Sequence, residues 1–229
     1  MRKLGLICIL AASALTLCAC SKQEEPQTTS ELVEQWMADE TETQPVTVPD
    51  KATAEIDAGA TPLTSFEYTI LEDGTICIRR FIGKDENVVI SSHIGDAQVT
   101  AIDQYAFEAA WDVRTVQLPD TINYIGEFAF MDCGNLTSVN IPSGVTELRR
   151  GTFAGCGALT QFTIPANVTE TAEELLTGCP LADLYVENPD LPYASWGLED
   201  LDPKCTIHAP NSAAILTWAD ENGFPIETM

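Results

Sequence analysis

Cys133, Cys156 and Cys179 follow one another at intervals of 23 residues. Thiols so placed offer three chemistries: disulfide formation between neighbours, capture of a soft metal ion, or packing as compact apolar groups. No Cys-x-x-Cys or His-x-x-x-His spacing accompanies them, so their pattern does not point to a metal site. Residues stacked at equal positions come within disulfide reach, but their Cβ atoms run parallel rather than converging. The expectation is a ladder of buried, unreacted thiols. Only two histidines are present, His93 and His208, and nothing in the sequence sets a nucleophile beside His93. No G-x-S-x-G, H-E-x-x-H, phosphate-binding glycine loop or EF-hand loop occurs. Glu199, Asp200 and Asp202 could form a glycosidase pair or a calcium site, but read more simply as a solvated loop. No cofactor is implied and no enzyme is expected.

The N-terminus carries a different kind of chemistry. Arg2 and Lys3 precede an apolar run from Leu4 to Leu17 that is short for a bilayer crossing, which reads as an export signal. Leu17-Cys18-Ala19-Cys20 resembles the bacterial lipobox, and this implies cleavage after residue 19 and a diacylglyceryl group on the Cys20 thiol. Two acyl chains suffice for stable anchoring, at ~0.8 kcal/mol per buried methylene. The chain has 11 basic against 35 acidic residues, a net charge of −24, and loss of Arg2 and Lys3 makes the balance more acidic. Such a charge excludes nucleic acid as a natural partner and gives no electrostatic attraction to anionic headgroups. With Cys8 and Cys18 removed and Cys20 lipidated, Cys77, Cys133, Cys156, Cys179 and Cys205 remain, an odd set that cannot pair completely within one chain.

Residues 20–62 are rich in Glu, Thr, Pro and Ala and cannot bury enough apolar surface to offset their ordering entropy. They read as an acidic tether, with a random-coil span of roughly 35 Å. Residues 63–87 read as a hairpin cap, because Tyr68, Ile70, Ile76 and Ile78 alternate around Asp73-Gly74.

Elements able to position the thiols emerge when residues 88–205 are aligned at a period of 23. Val116, Val139 and Phe162 share a column, as do Leu118, Ile141 and Ile164, each followed by proline. Val99, Ile122, Val145 and Val168 form another, then Ile102, Ile125 and Leu148, with Thr171 in the fourth place. Phe107, Phe130, Phe153 and Leu176 come next, and the cysteines close the unit. V-x-I-P is a short strand with alternate residues inward, ended by a residue that cannot donate to a ladder. One such coil cannot bury its own apolar side, but a stack of coils does so for all of them. The expected fold is a mainly β repeat solenoid of about four to five coils. Residues 206–229 should cap it with a strand and a helix, N-capped by Asn211 or Ser212 and ended by Gly223.

The phrase LTSVNIPSGVTELRRGTFAGC resembles the BspA-like leucine-rich repeat family of bacterial surface proteins. VVISSHIGDAQVTAIDQYAF is similar to that family's first coil, with Ser92 where a proline is frequent, and CTIHAPNSAAILTWADENGFPI to its terminus. The resemblance implies a leucine-rich solenoid displayed on a cell surface and engaged in adhesion. It implies no catalytic residues. From the residues themselves, Gln117, Asn140 and Thr163 form one outward row, and Thr115, Ser138 and Gln161 another. These rows are the candidate surface for an extracellular protein or glycan. Arg149 and Arg150 could dock an anionic partner or offset nearby acids. The expected function is a non-catalytic surface lipoprotein that binds protein or glycan. An extracytoplasmic hydrolase or solute-capturing lipoprotein, and a structural spacer, are the alternatives.

Overall fold

The computed structural model describes residues 54–229 except 200, 202 and 203; the expected signal segment, Cys20 and most of the tether lie outside the described residues. The first described elements are the expected hairpin, β1 (Phe66–Ile70) and β2 (Ile76–Phe81), paired antiparallel. Its turn is held by Asp73, whose Oδ1 accepts the Thr75 N–H at 2.9 Å and the Thr75 hydroxyl at 2.7 Å. These bonds also hold the Asp73 carboxyl below its ordinary range.

The coils follow. β3 (Asn87–Val89), β4 (His93–Ile94) and β5 (Ala97–Ile102) make the first. β6 (Thr115–Gln117) and β7 (Tyr124–Ile125) make the second, β8 (Ser138–Val139) and β9 (Glu147–Leu148) the third. β10 (Gln161–Ile164) and β11 (Glu170–Thr171) make the fourth. β12 (Asp183–Val186) and β13 (Thr206–Ala209) continue the strand file, followed by helix α1 (Ala214–Glu221) and β14 (Ile226–Thr228). The result is a β-solenoid of about seven turns rather than the four to five expected. The additional turns come from β12, β13 and β14, whose flanking sequence departs from the repeat while their backbones still pair in parallel.

Each coil lends its apolar side to its neighbours. Val99, Ile122, Val145 and Val168 are fully buried. Phe81, Phe107, Phe130 and Phe153 stack in sequence, with centroids 5.2, 5.0 and 5.4 Å apart. The three repeat cysteines are buried and free, and each donates its thiol proton to a phenylalanine carbonyl of the preceding coil: Cys133 to Phe107 (3.0 Å), Cys156 to Phe130 (3.3 Å) and Cys179 to Phe153 (3.1 Å). Thr171, the odd member of its column, has a partner that the sequence hid. Fully buried Trp196 donates its indole N–H to the Thr171 hydroxyl at 2.9 Å, and its carbonyl accepts from Leu176 N–H. At the coil corner Gly151 has φ +59°, and a Cβ there would lie 2.2 Å from the Phe128 ring. Only glycine lets that ring close over the backbone.

Two ends differ in detail from expectation. Helix α1 has Ala213 as its N-cap with no side-chain cap, not Asn211 or Ser212. The Pro189 carbonyl, from an earlier coil, accepts the Ala214 N–H and does part of the work of a capping side chain. Gly223, at φ +71°, follows the C-cap Asn222 as expected. At the other end, residues 55–61 pack on the first coil. Thr61 N–H donates to the Val89 carbonyl at 2.8 Å, Gly95 N–H to the Glu55 carbonyl at 2.8 Å, and Ser92 N–H to Asp57 Oδ2 at 2.5 Å. A proline at residue 92 would lack that last donor.

Candidate functional site

Strand alternation places Thr115, Gln117, Ser138, Asn140, Gln161 and Thr163 around two adjoining depressions on the strand face. Thr115, Gln117, Ser138 and Asn140 line one of about 420 Å³. Ser138, Gln161 and Thr163 line the other, of about 290 Å³, together with Val139 and Phe162. Ser138 belongs to both. No charged side chain lines either, in a chain of net charge −24.

The six residues are not equivalent. Asn140 is spent on the fold: its Oδ1 accepts the Leu118 N–H at 2.7 Å and its Nδ2 donates to the Leu118 carbonyl at 2.8 Å, so an amide side chain continues the ladder where the backbone leaves it. Thr115 donates its hydroxyl to Asn87 Oδ1 at 2.8 Å. Gln117, Ser138, Gln161 and Thr163 make no side-chain hydrogen bond among the described residues and are the groups able to meet a ligand.

Arg149 and Arg150 belong elsewhere. Arg149 Nη2 sits 2.5 Å from Glu147 Oε2 and lies over the Tyr124 ring at 4.8 Å. Arg150 forks onto Glu174 through Nη2 (2.8 Å) and Nε (3.3 Å) beside the Phe128 ring. The hydrogen bond raises the Arg150 pKa and holds the Glu174 carboxyl down. Both guanidiniums are neutralised in place and neither lines the polar depressions.

The histidines do not form a nucleophile-activating set. Ser92 Oγ and Asp57 Oδ1 both approach the same nitrogen of His93, Nδ1, each at 3.2 Å. A general base needs one ring nitrogen for the nucleophile and the other for the orienting carboxylate. His208 lies between two acids, Nε2 at 2.8 Å from Asp183 and Nδ1 at 3.4 Å from Glu227, with Tyr185 stacked on its face at 4.2 Å. It joins three parallel strands. In the acidic loop, Glu199 accepts the Tyr193 hydroxyl; burial, then that carboxylate, raise the tyrosine pKa. Asp200 and Asp202 lie outside the described residues. No group of three or more metal-binding side chains occurs among the described residues.

One feature of the face escaped the periodic reading. β6 pairs with β8 and β10 with β12, but β8 and β10 are not paired. β7 and β9, between the second and third coils, are likewise not paired.

Residues 86–191 match a BspA type leucine rich repeat region in six copies. Among solved structures, a leucine rich repeat protein of T. pallidum is similar at 26% identity and a TM-score of 0.61, over 65% of this chain and 71% of that one. A leucine rich cell surface protein from Faecalibacterium prausnitzii is 24% identical with a TM-score of 0.52, over 66% of this chain and 39% of that one. The pneumococcal vaccine antigen PcpA shares 17% identity with a TM-score of 0.54, over 69% of this chain and 46% of its own. The last two are likenesses of fold. No curated protein matches the chain.

Proposed function

Because residues 86–191 are a BspA type leucine-rich repeat region, we propose that this chain is a non-catalytic protein displayed outside the cell, whose polar strand face binds a protein or a glycan. Repeats of this family are typically non-enzymatic and generally belong to cell-surface proteins. The observation that carries the binding reading is convergence. Six residues from three successive coils surround two adjoining depressions free of charge. Neutral hydroxyl and amide groups on a rigid frame suit a ligand recognised by hydrogen bonds rather than by ion pairing.

Attachment would be through lipid on Cys20, with the acidic segment providing stand-off and contact with host or neighbouring cells as the purpose. No helix among the described residues is long and apolar enough to cross a membrane, so the reading rests on the lipobox. Replacing Cys20 by Ser should release the protein from the membrane fraction of its native host; unchanged partitioning defeats the anchor. Glycan and extracellular-matrix protein arrays probed with the chain should give ligands whose capture falls at least tenfold on Gln117→Ala with Ser138→Lys. Ligands indifferent to both substitutions would move the interface off this face.

A further inference from the structure

The hairpin end of the solenoid carries a cavity of about 580 Å³, on a strand file separate from β3, β6 and β8. Its floor follows from register. Cys77 of β2 is the Cα partner of Ala101 of β5, which is in turn the partner of Tyr124 of β7, and all three strands run parallel. Residues so paired send their side chains out on the same face. Ala101 is the smallest of the three, and its methyl group leaves a hollow beside the tyrosine. Cys77 and Ala101, each 6% exposed, form the buried floor, and Tyr124, 41% exposed, forms one wall. The turn of the hairpin closes the other side with Leu71, Asp73 and Thr75.

The polar groups around this hollow divide into those the fold has used and those it has not. Thr100 donates its hydroxyl to the Thr75 hydroxyl at 2.9 Å, and Asp73 Oδ1 accepts both Thr75 donors. Asp103 accepts from Arg79 Nε at 2.6 Å, and Arg149 of the third coil lies over the Tyr124 ring. The side chains of Gln98, Asn123 and Tyr124 make no hydrogen bond among the described residues, and all three are exposed. Two carboxamides and a phenol thus stand unused around a partly apolar floor.

We propose that this cavity binds one neutral pyranose ring. An apolar face of the sugar lies against Tyr124 and Ala101, and its hydroxyls meet Gln98, Asn123 and the Thr100 oxygen. The volume falls within the ~300–1,000 Å³ of small-molecule sites. Carboxamides suit such a ligand, because each sugar hydroxyl both donates and accepts and a carboxamide offers both complements. Other ligand classes fit less well. The lining holds no cationic side chain, so an anion would meet Asp73 and Asp103 without a compensating charge. A cation would find Asp103 already paired with Arg79 and the Tyr124 ring already faced by Arg149. A wholly apolar ligand would take water from Asp73, Gln98 and Asn123 and return no hydrogen bond. The site shares no residue with the depressions between Thr115 and Thr163, and stands whether or not that face binds.

The test is saturation-transfer NMR on the full chain with methyl glycosides of glucose, galactose, mannose and N-acetylglucosamine. Methyl glucuronide and phenethylamine serve as the charged probes. At least one neutral glycoside should bind, with a dissociation constant on the order of 1 mM for so small a ligand. Amide shifts should change at Thr100, Ala101 and Tyr124 and stay fixed at Ser138 and Gln161. Gln98→Ala with Asn123→Ala removes two exposed groups that the fold does not use. It should weaken binding at least tenfold and leave the unfolding midpoint unchanged. Ala101→Leu, which fills the hollow, should abolish binding, whereas Gln117→Ala with Ser138→Lys should not alter it. The proposal is overturned if no glycoside binds at ten times the expected constant, or if binding is indifferent to the Gln98 and Asn123 changes. A charged probe bound as tightly as any glycoside overturns it equally. If the arrays still give a ligand that depends on Gln117 and Ser138 in that event, the strand face binds and the pyranose site falls.

Discussion

Trp196 and Thr171 show how a single polar contact settles inside an apolar stack. The indole N–H is fully enclosed, and the Thr171 hydroxyl is its acceptor at 2.9 Å. Thr171→Val is nearly isosteric but leaves that donor without a partner, which should cost about 1–3 kcal/mol. Urea denaturation followed by tryptophan fluorescence would measure the loss. The thiols make the opposite case. Burial pushes Cys133 up to about 12 and Cys77 and Cys205 each to about 11, from an ordinary 9.0. An aromatic disulfide reagent at pH 8 should therefore leave these cysteines unmodified until the chain is unfolded. A raised acid pKa in the folded state means that the associated stability is complete below pH 9 and is lost as pH rises through 11 to 12. Denaturation midpoints should fall over that interval, and a Cys133→Ala chain should show a shallower fall.

At the scale of elements, the junction of residues 55–61 with the first coil is the one whose pH response follows from its geometry. The Ser92 N–H, first, and the Ser92 side chain hold the Asp57 carboxyl below its ordinary 3.8, and His93 adds a smaller coulombic contribution. A depressed carboxyl pKa stabilises above the unfolded value and stops doing so as pH falls through the folded one. The segment should accordingly loosen below pH 3.8 while the coils stay paired. Faster amide exchange at Ser92, Gly95 and Val89, with Val116 and Phe130 still protected, would report this. Asp57→Asn should shift that loosening to neutral pH.

For the whole molecule, seven parallel rungs create two ends that must be guarded, because an open strand edge invites pairing with another chain. The hairpin β1–β2 and residues 55–61 close the first. The last rung, β14, is exposed along its length, and α1 packs beside it. Removing residues 224–229 would uncover the edge of β13, a nearly buried strand. That truncated chain should self-associate in sedimentation at concentrations where the intact chain stays monodisperse.

Periodicity alone determined the coil. A column of Val or Ile, a phenylalanine and a cysteine at a fixed spacing can be buried together only if the coils stack, so the core residues, the hairpin at Asp73-Gly74 and the outward rows were legible without coordinates. Six candidate binding residues were likewise placed on one face by the alternation of strands. The strand at β13 was expected as part of the cap, but that β12, β13 and β14 continue the ladder as further turns was not legible, because their rungs are held by main-chain bonds that any side chain permits. The same reason hid the break between β8 and β10. Phe162 sits in register with Val116 and Val139, and only the structure shows its ring meeting Phe153 at 4.8 Å in the core. Asn140 reads as an outward polar group until the structure shows its amide bonded to Leu118. Sequence specifies which side chains must leave water together; the distances between main chains depend on how their volumes add up, and that is settled only in the folded assembly.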